Sequence, residues 1–171
     1  MPGDGAARGT ARLMRLAVRA STAWALAGGA VLCAVIAVNV VSILGAALGA
    51  GAVPGDFELT ELGVAVAVFA FLPYCRATGR DVRAEVFASR ASDRARAAMD
   101  LLAATVAALF AALLFWRMWA GMADQREYGY VTTILQIPVW WGYAASLASL
   151  ALLIFAAAAT WADALARLRE R

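Results

Sequence analysis

The sequence predicts an all-α membrane protein, with four transmembrane helices and a short interfacial amphipathic helix between the second and the third. Three observations carry this. Apolar residues make up 64% of the 171 positions and charged ones only 16%, well outside the balance of a soluble domain. The charges are clumped, so four long apolar stretches remain between them. The arginines fall in alternate gaps between those stretches.

The first stretch lies between Arg19 and Asp56 and is free of charge, which predicts a helix over about 20–48. Arginines followed by an apolar run and small residues resemble a signal peptide, but the run is too long, so an uncleaved helix is expected. The second helix, about 57–75, reaches spanning length only if Glu58 and Glu61 sit in the headgroup region. The third, about 99–122, contains Arg117. The fourth, about 137–162, opens at Pro138, whose missing N–H costs nothing in a first helical turn. Between the second and third helices, Val82, Val86 and Phe87 share one helical face, which predicts an interfacial helix over about 81–96. The chain reads as one four-helix domain over 1–171, without repeats.

Orientation follows from the arginines. Thirteen of the fifteen flank the first helix on its N-terminal side, fill the central loop or follow the fourth helix; only Arg117 and Arg126 lie at the opposite end. The positive-inside rule then places both termini and the central loop in the cytoplasm. The net charge of +3 is thus a topology signal and a contact for anionic lipid, with no nucleic-acid partner implied. Aromatic residues mark the same edges. Trp116, Trp119, Tyr128, Tyr130, Trp140 and Trp141 belong to the outer face, and Trp24, Tyr74 and Trp161 to the inner.

The chain lacks His, which removes His-ligated haem, zinc or iron and any Ser–His or Cys–His nucleophile. Cys33 and Cys75 match no metal spacing and read as small apolar fillers. No cofactor, metal site or catalytic residue is expected, and the protein is not expected to be an enzyme. Glu58 and Glu61, three residues apart, complement the dipole at the start of the second helix. Glu61 lies deeper, and Arg117 is the candidate partner for it; each residue snorkelling separately is the alternative. No charge reaches the middle of any helix, so a self-sufficient transporter is not expected. Asn39 reads as an interhelical hydrogen bond, and Gly45 with Gly49 as a weak GxxxG pairing signal. Lipid-compatible helices without chemistry of their own point to a subunit.

Two stretches resemble a known family. Glu58-Leu59-Thr60-Glu61-Leu62 opens the second helix, which leads to Gly79-Arg80-Asp81-Val82-Arg83-Ala84-Glu85-Val86-Phe87. Leu135-Gln136-Ile137-Pro138-Val139-Trp140-Trp141-Gly142-Tyr143 leads into the last helix. In this order, within a four-helix frame, they resemble the small membrane (permease) subunit of tripartite ATP-independent periplasmic (TRAP) transporters, the DctQ-like family. The likeness covers about Arg15 to Ala166. It departs at Asp81, where the family frequently has His, and Glu85 aligns only loosely with its later acid.

The resemblance implies two partners besides the bilayer. One is a large permease subunit of about a dozen helices that holds the substrate and sodium sites. The other is a periplasmic substrate-binding protein. The small subunit is expected to act as a scaffold in the bacterial inner membrane, and to offer part of the docking surface during sodium-coupled uptake of an organic acid-type solute. Gly79, Arg80, Arg83 and Phe87 would position the interfacial helix on lipid, while Glu58, Glu61 and Arg117 would serve subunit contact or helix pairing. Trp140 and Trp141, with Pro138, would anchor the outer face or meet the large subunit. Two other readings use the same residues: a membrane anchor of a redox complex, testable by bound quinone or an absorbance spectrum, and a small exchanger needing an essential Glu61.

Overall fold

The computed structural model describes residues 3–78 and 93–169. Four helices result: α1 (Gly3–Ala47), α2 (Asp56–Ala77), α3 (Asp93–Glu127) and α4 (Trp140–Arg169). Each contains a stretch long and apolar enough to cross a membrane. At 1.5 Å per residue α2 is roughly 33 Å long, close to one hydrocarbon core, whereas α1 is roughly 68 Å long. The first helix therefore extends far beyond the expected 20–48 on its arginine-bearing side. The third outruns 99–122 at both ends, and the fourth begins at Trp140 rather than 137.

Most of the expected interfacial helix over 81–96 lies outside the described residues, as do Gly79, Arg80, Arg83 and Phe87. Its last part, Asp93 to Arg96, is described and belongs to the first turn of α3 instead of a separate element.

Helix α4 is the hub. It packs against α1, α2 and α3, and α1 also packs on α2, whereas α3 has no comparable packing on α1 or α2 among the described residues. Accordingly α4 is the most buried of the four spans.

The interior is made of small side chains and the exterior of large ones. Ser21, Gly28, Val35 and Ser42, seven residues apart in turn, form the buried seam of α1. A repeat of seven keeps one face against a partner helix through a left-handed supercoil. The facing seam of α2 comprises Asp56, Thr60, Gly63, Ala67 and Ala70. A Cβ on Gly28 would meet Ala70 Cβ at 2.6 Å, and Val35 sits over Gly63. Helices in lipid gain little by burying large apolar chains, because lipid solvates them equally well; they gain by close approach. Leu26, Ile43, Leu102, Leu109 and Phe110 accordingly point outward.

Two polar side chains inside this apolar body are satisfied across helices, whereas the buried Ser21 hydroxyl has no hydrogen-bond partner among the described residues. Asn39 Nδ2 donates to Thr60 Oγ1 at 2.7 Å, the interhelical bond expected of it. Trp24 Nε1 donates to Ser149 Oγ at 2.8 Å. Trp24 thus turns its indole N–H into the bundle.

Candidate functional site

The arginine-poor end of the bundle carries both described loops and most of the polar residues singled out from the sequence. Its construction begins with glycines that stop the ascending helices. Gly49 has φ 79°, with Gly49 N–H donating to Ala46 O at 3.2 Å and Ala50 N–H to Gly45 O at 2.8 Å. These are the two bonds of a Schellman motif. Gly45 and Gly49 thus terminate α1, and the helix-pairing role suggested by their spacing is replaced by a capping one. At the end of α3, Gly129 has φ 62° and Tyr130 N–H donates to Gln125 O at 3.2 Å, the longer bond of the same motif.

The chain then turns into α2 through Gly55, φ 77°. Asp56, which sequence reasoning passed over, ties this turn. One carboxylate oxygen accepts the Ser42 hydroxyl, the other accepts the Phe57 N–H at 2.7 Å, and Ser42 Oγ accepts the Val53 N–H at 3.1 Å. The Asp56 carbonyl accepts Thr60 Oγ1 at 2.7 Å, so a polar ladder descends from Asp56 through Thr60 to Asn39. An acid directly after Pro54-Gly55 and before an apolar run is the local signal that marks such a position.

The second loop joins α3 to α4. Val131 and Pro138 form an antiparallel bridge, flanked by Thr132 N–H to Ile137 O at 3.0 Å and Val139 N–H to Tyr130 O at 3.1 Å. Neither bond requires an N–H from position 138, so proline is accommodated. Pro138 lies two residues ahead of α4 instead of in its first turn, and its carbonyl accepts the Trp141 N–H at 3.1 Å. At the tip Gln136 adopts φ 55°, unusual for a residue with a side chain. The Thr132 hydroxyl holds it in place by accepting the Ile137 N–H at 3.1 Å.

Glu58 closes the tip. Its Oε1 accepts the Ile134 N–H at 2.7 Å and its Oε2 the Leu135 N–H at 2.9 Å. A carboxylate is suited to this because both oxygens accept and neither donates. Leu135 in turn covers Gly55, where any Cβ would collide with its side chain. Glu58 therefore joins the start of α2 to the loop before α4, a distant pairing that its position in the sequence does not announce.

Glu61 and Arg117 are placed differently. Both side chains are exposed, and no ion pair joins them among the described residues. The helices that carry them, α2 and α3, lie against α4 instead of one another. Trp140 stacks under the guanidinium of Arg126, 5.7 Å from its ring centroid, and meets Trp141 edge-on at 6.1 Å. Gly121 lies against the Tyr143 ring, and Gly142 against Leu62, so α4 is gripped by α3 and α2 close to its start.

The surface so formed is firm and mixed in character. Phe57, Tyr128, Tyr130, Ile134 and Trp141 are exposed beside the charges of Glu61, Asp124 and Glu127. No group of three or more Asp, Glu, Cys or His suited to a metal ion occurs among the described residues. Aromatic anchors with charges at their rim are suited to contact with a protein or headgroups.

A family model described as "Tripartite ATP-independent periplasmic transporters, DctQ component" matches residues 35–167. No curated protein and no solved structure matches the chain. The matched region covers the last part of α1 from Val35, all of α2 and α3, nearly all of α4 and both loops of the arginine-poor end.

Proposed function

Since the chain belongs to the DctQ-component family of the tripartite ATP-independent periplasmic transporters, we propose that it is the scaffold subunit that holds the large permease in the bilayer and helps to dock the substrate-binding protein. The observation that carries this is the inverted distribution of side-chain size. The bundle closes on itself with alanine, serine and glycine, and turns its large apolar chains outward along α1 and α3. Such a body offers broad faces to lipid and to a larger membrane partner.

The exposed Glu61 and Arg117 are the charges this reading assigns to contact with the large subunit. The loop clamped by Glu58, with Pro138, Trp140 and Trp141 at its base, is assigned to the outer face, where the binding protein delivers its solute. In this reading both termini are cytoplasmic, the membrane is the bacterial inner membrane, and the uptake served is sodium-coupled transport of an organic acid-type solute. Rim charges in such an encounter mainly set on-rate and salt dependence.

The test is affinity capture of the tagged chain from mild detergent, followed by mass spectrometry. Recovery of a permease of about a dozen helices in equal amount is expected. Recovery of a flavin or iron–sulfur subunit, or of the chain alone, overturns the proposal.

A further inference from the structure

The arginine-rich end of α1 carries a feature that transport does not require. Arg12, Arg15 and Arg19 follow one another at intervals of three and four residues, so all three lie on one face of the helix. With Leu16 between them, they line an open cavity of about 300 Å³. All four side chains are exposed. The walls of this space are almost wholly apolar, formed by Leu16 and the aliphatic stems of the three arginines. Their guanidinium groups, carried on one helical face without an acidic residue among the four, are suited to a phosphate oxyanion.

The same face continues into the spanning part of the helix. Ala23, Leu26 and Ala30 follow Arg19 at the same helical spacing, and all are exposed. Leu26 is 71% exposed. A ligand seated between the arginines thus has a smooth apolar track leading away from it into the hydrocarbon. Leu16 supplies the first apolar contact within the basic cluster itself.

We propose that Arg12, Arg15 and Arg19 form a binding site for the phosphodiester headgroup of an anionic phospholipid, whose acyl chain runs along Ala23, Leu26 and Ala30. A soluble phosphate satisfies the arginines equally well but leaves the apolar track unused. The lipid satisfies both halves of the site. This inference rests on the membrane-spanning reading of α1 and not on the transport role, so either can fail without the other.

The test is native mass spectrometry of the full chain released from detergent micelles, titrated with phosphatidylglycerol or with zwitterionic phosphatidylcholine. Phosphatidylglycerol is expected to remain bound and phosphatidylcholine to leave. An arginine near an anionic headgroup contributes about fivefold in binding, so R12Q/R15Q/R19Q should lose at least about tenfold in phosphatidylglycerol retention. R12K/R15K/R19K keeps the charge that orients the helix, and should stay within about threefold of the native chain, because a lysine also binds phosphate as a point charge. Equal retention of the two lipids overturns the proposal. So does undiminished retention in the glutamine variant, or a loss in the lysine variant as large as in the glutamine one. Displacement of phosphatidylglycerol by excess inorganic phosphate overturns it in favour of a soluble anion.

Discussion

Glu58 holds Leu135 across the arginine-poor end of the bundle, its carboxylate accepting the Leu135 N–H at 2.9 Å while the Leu135 side chain seals Gly55 one turn away. One residue of the last loop is thus gripped through its backbone and used as a lid through its side chain. Glu58→Gln replaces one accepting oxygen with a donor, which cannot serve a second N–H. Amide exchange at Ile134 and Leu135 should rise by about tenfold or more as the loop opens locally, with α1 unaffected. Unchanged protection at both amides would show that the loop holds its shape without Glu58.

The lid predicts a rescue. Gly55→Ala places a Cβ in the left-handed region, at about 1–2 kcal/mol, and also drives it into Leu135. Gly49→Ala bears the same backbone strain with open space around it. The Gly55 variant should therefore melt lower in detergent than the Gly49 variant. Adding Leu135→Ala should recover the difference, and failure to recover any of it means that the contact with Leu135 is not the cause.

The seam between α1 and α2 depends on the absence of a side chain at Gly28. Gly28→Leu meets Ala70 and the backbone at Ala67 and should cost about 1–3 kcal/mol as overpacking. Its neighbour Gly29 has nothing within 4 Å, so Gly29→Leu should stay within about 0.5 kcal/mol of the native chain. Thermal denaturation of the two variants decides between this seam and one on the opposite face.

Asn39 and Thr60 should be energetically coupled. A double-mutant cycle with Asn39→Ala and Thr60→Ala is expected to return about 0.6–1.7 kcal/mol, the range for hydrogen bonds between membrane helices. Additive effects in the cycle would leave the 2.7 Å bond without energetic weight.

Glu61 and Arg117 separate stability from assembly. Both are exposed, so Glu61→Gln and Arg117→Gln should leave the melting temperature of the isolated chain nearly unchanged, within about 0.5 kcal/mol. Co-purification with the large subunit should nevertheless fall for each. Full recovery of the complex with both variants removes these charges from the interface.

The parts of the fold legible in the sequence are those set by one-dimensional quantities. Span number and type follow from runs of apolar residues, because a bilayer demands about 20 residues without charge whatever their order. Asn39 was legible for the same reason: a lone amide in an apolar helix has to find a partner. Gly45 and Gly49 were not, since the same spacing serves a helix contact or a helix stop, and only the left-handed φ of Gly49 separates the two. Asp56 was overlooked because its partners, Ser42 and Val53, belong to the other side of a turn.

By itself the sequence determined that the chain spans a membrane four times and belongs with a transporter, because burial in lipid and family pattern are written in residue order. Only the tertiary structure decided which helix is central, what Glu58 binds and that Glu61 and Arg117 stand apart. Alanine-rich faces carry no size or polarity contrast by which to choose a neighbour. The bonds of Glu58 go to backbone N–H groups, which every residue but proline possesses and no side-chain pattern reveals.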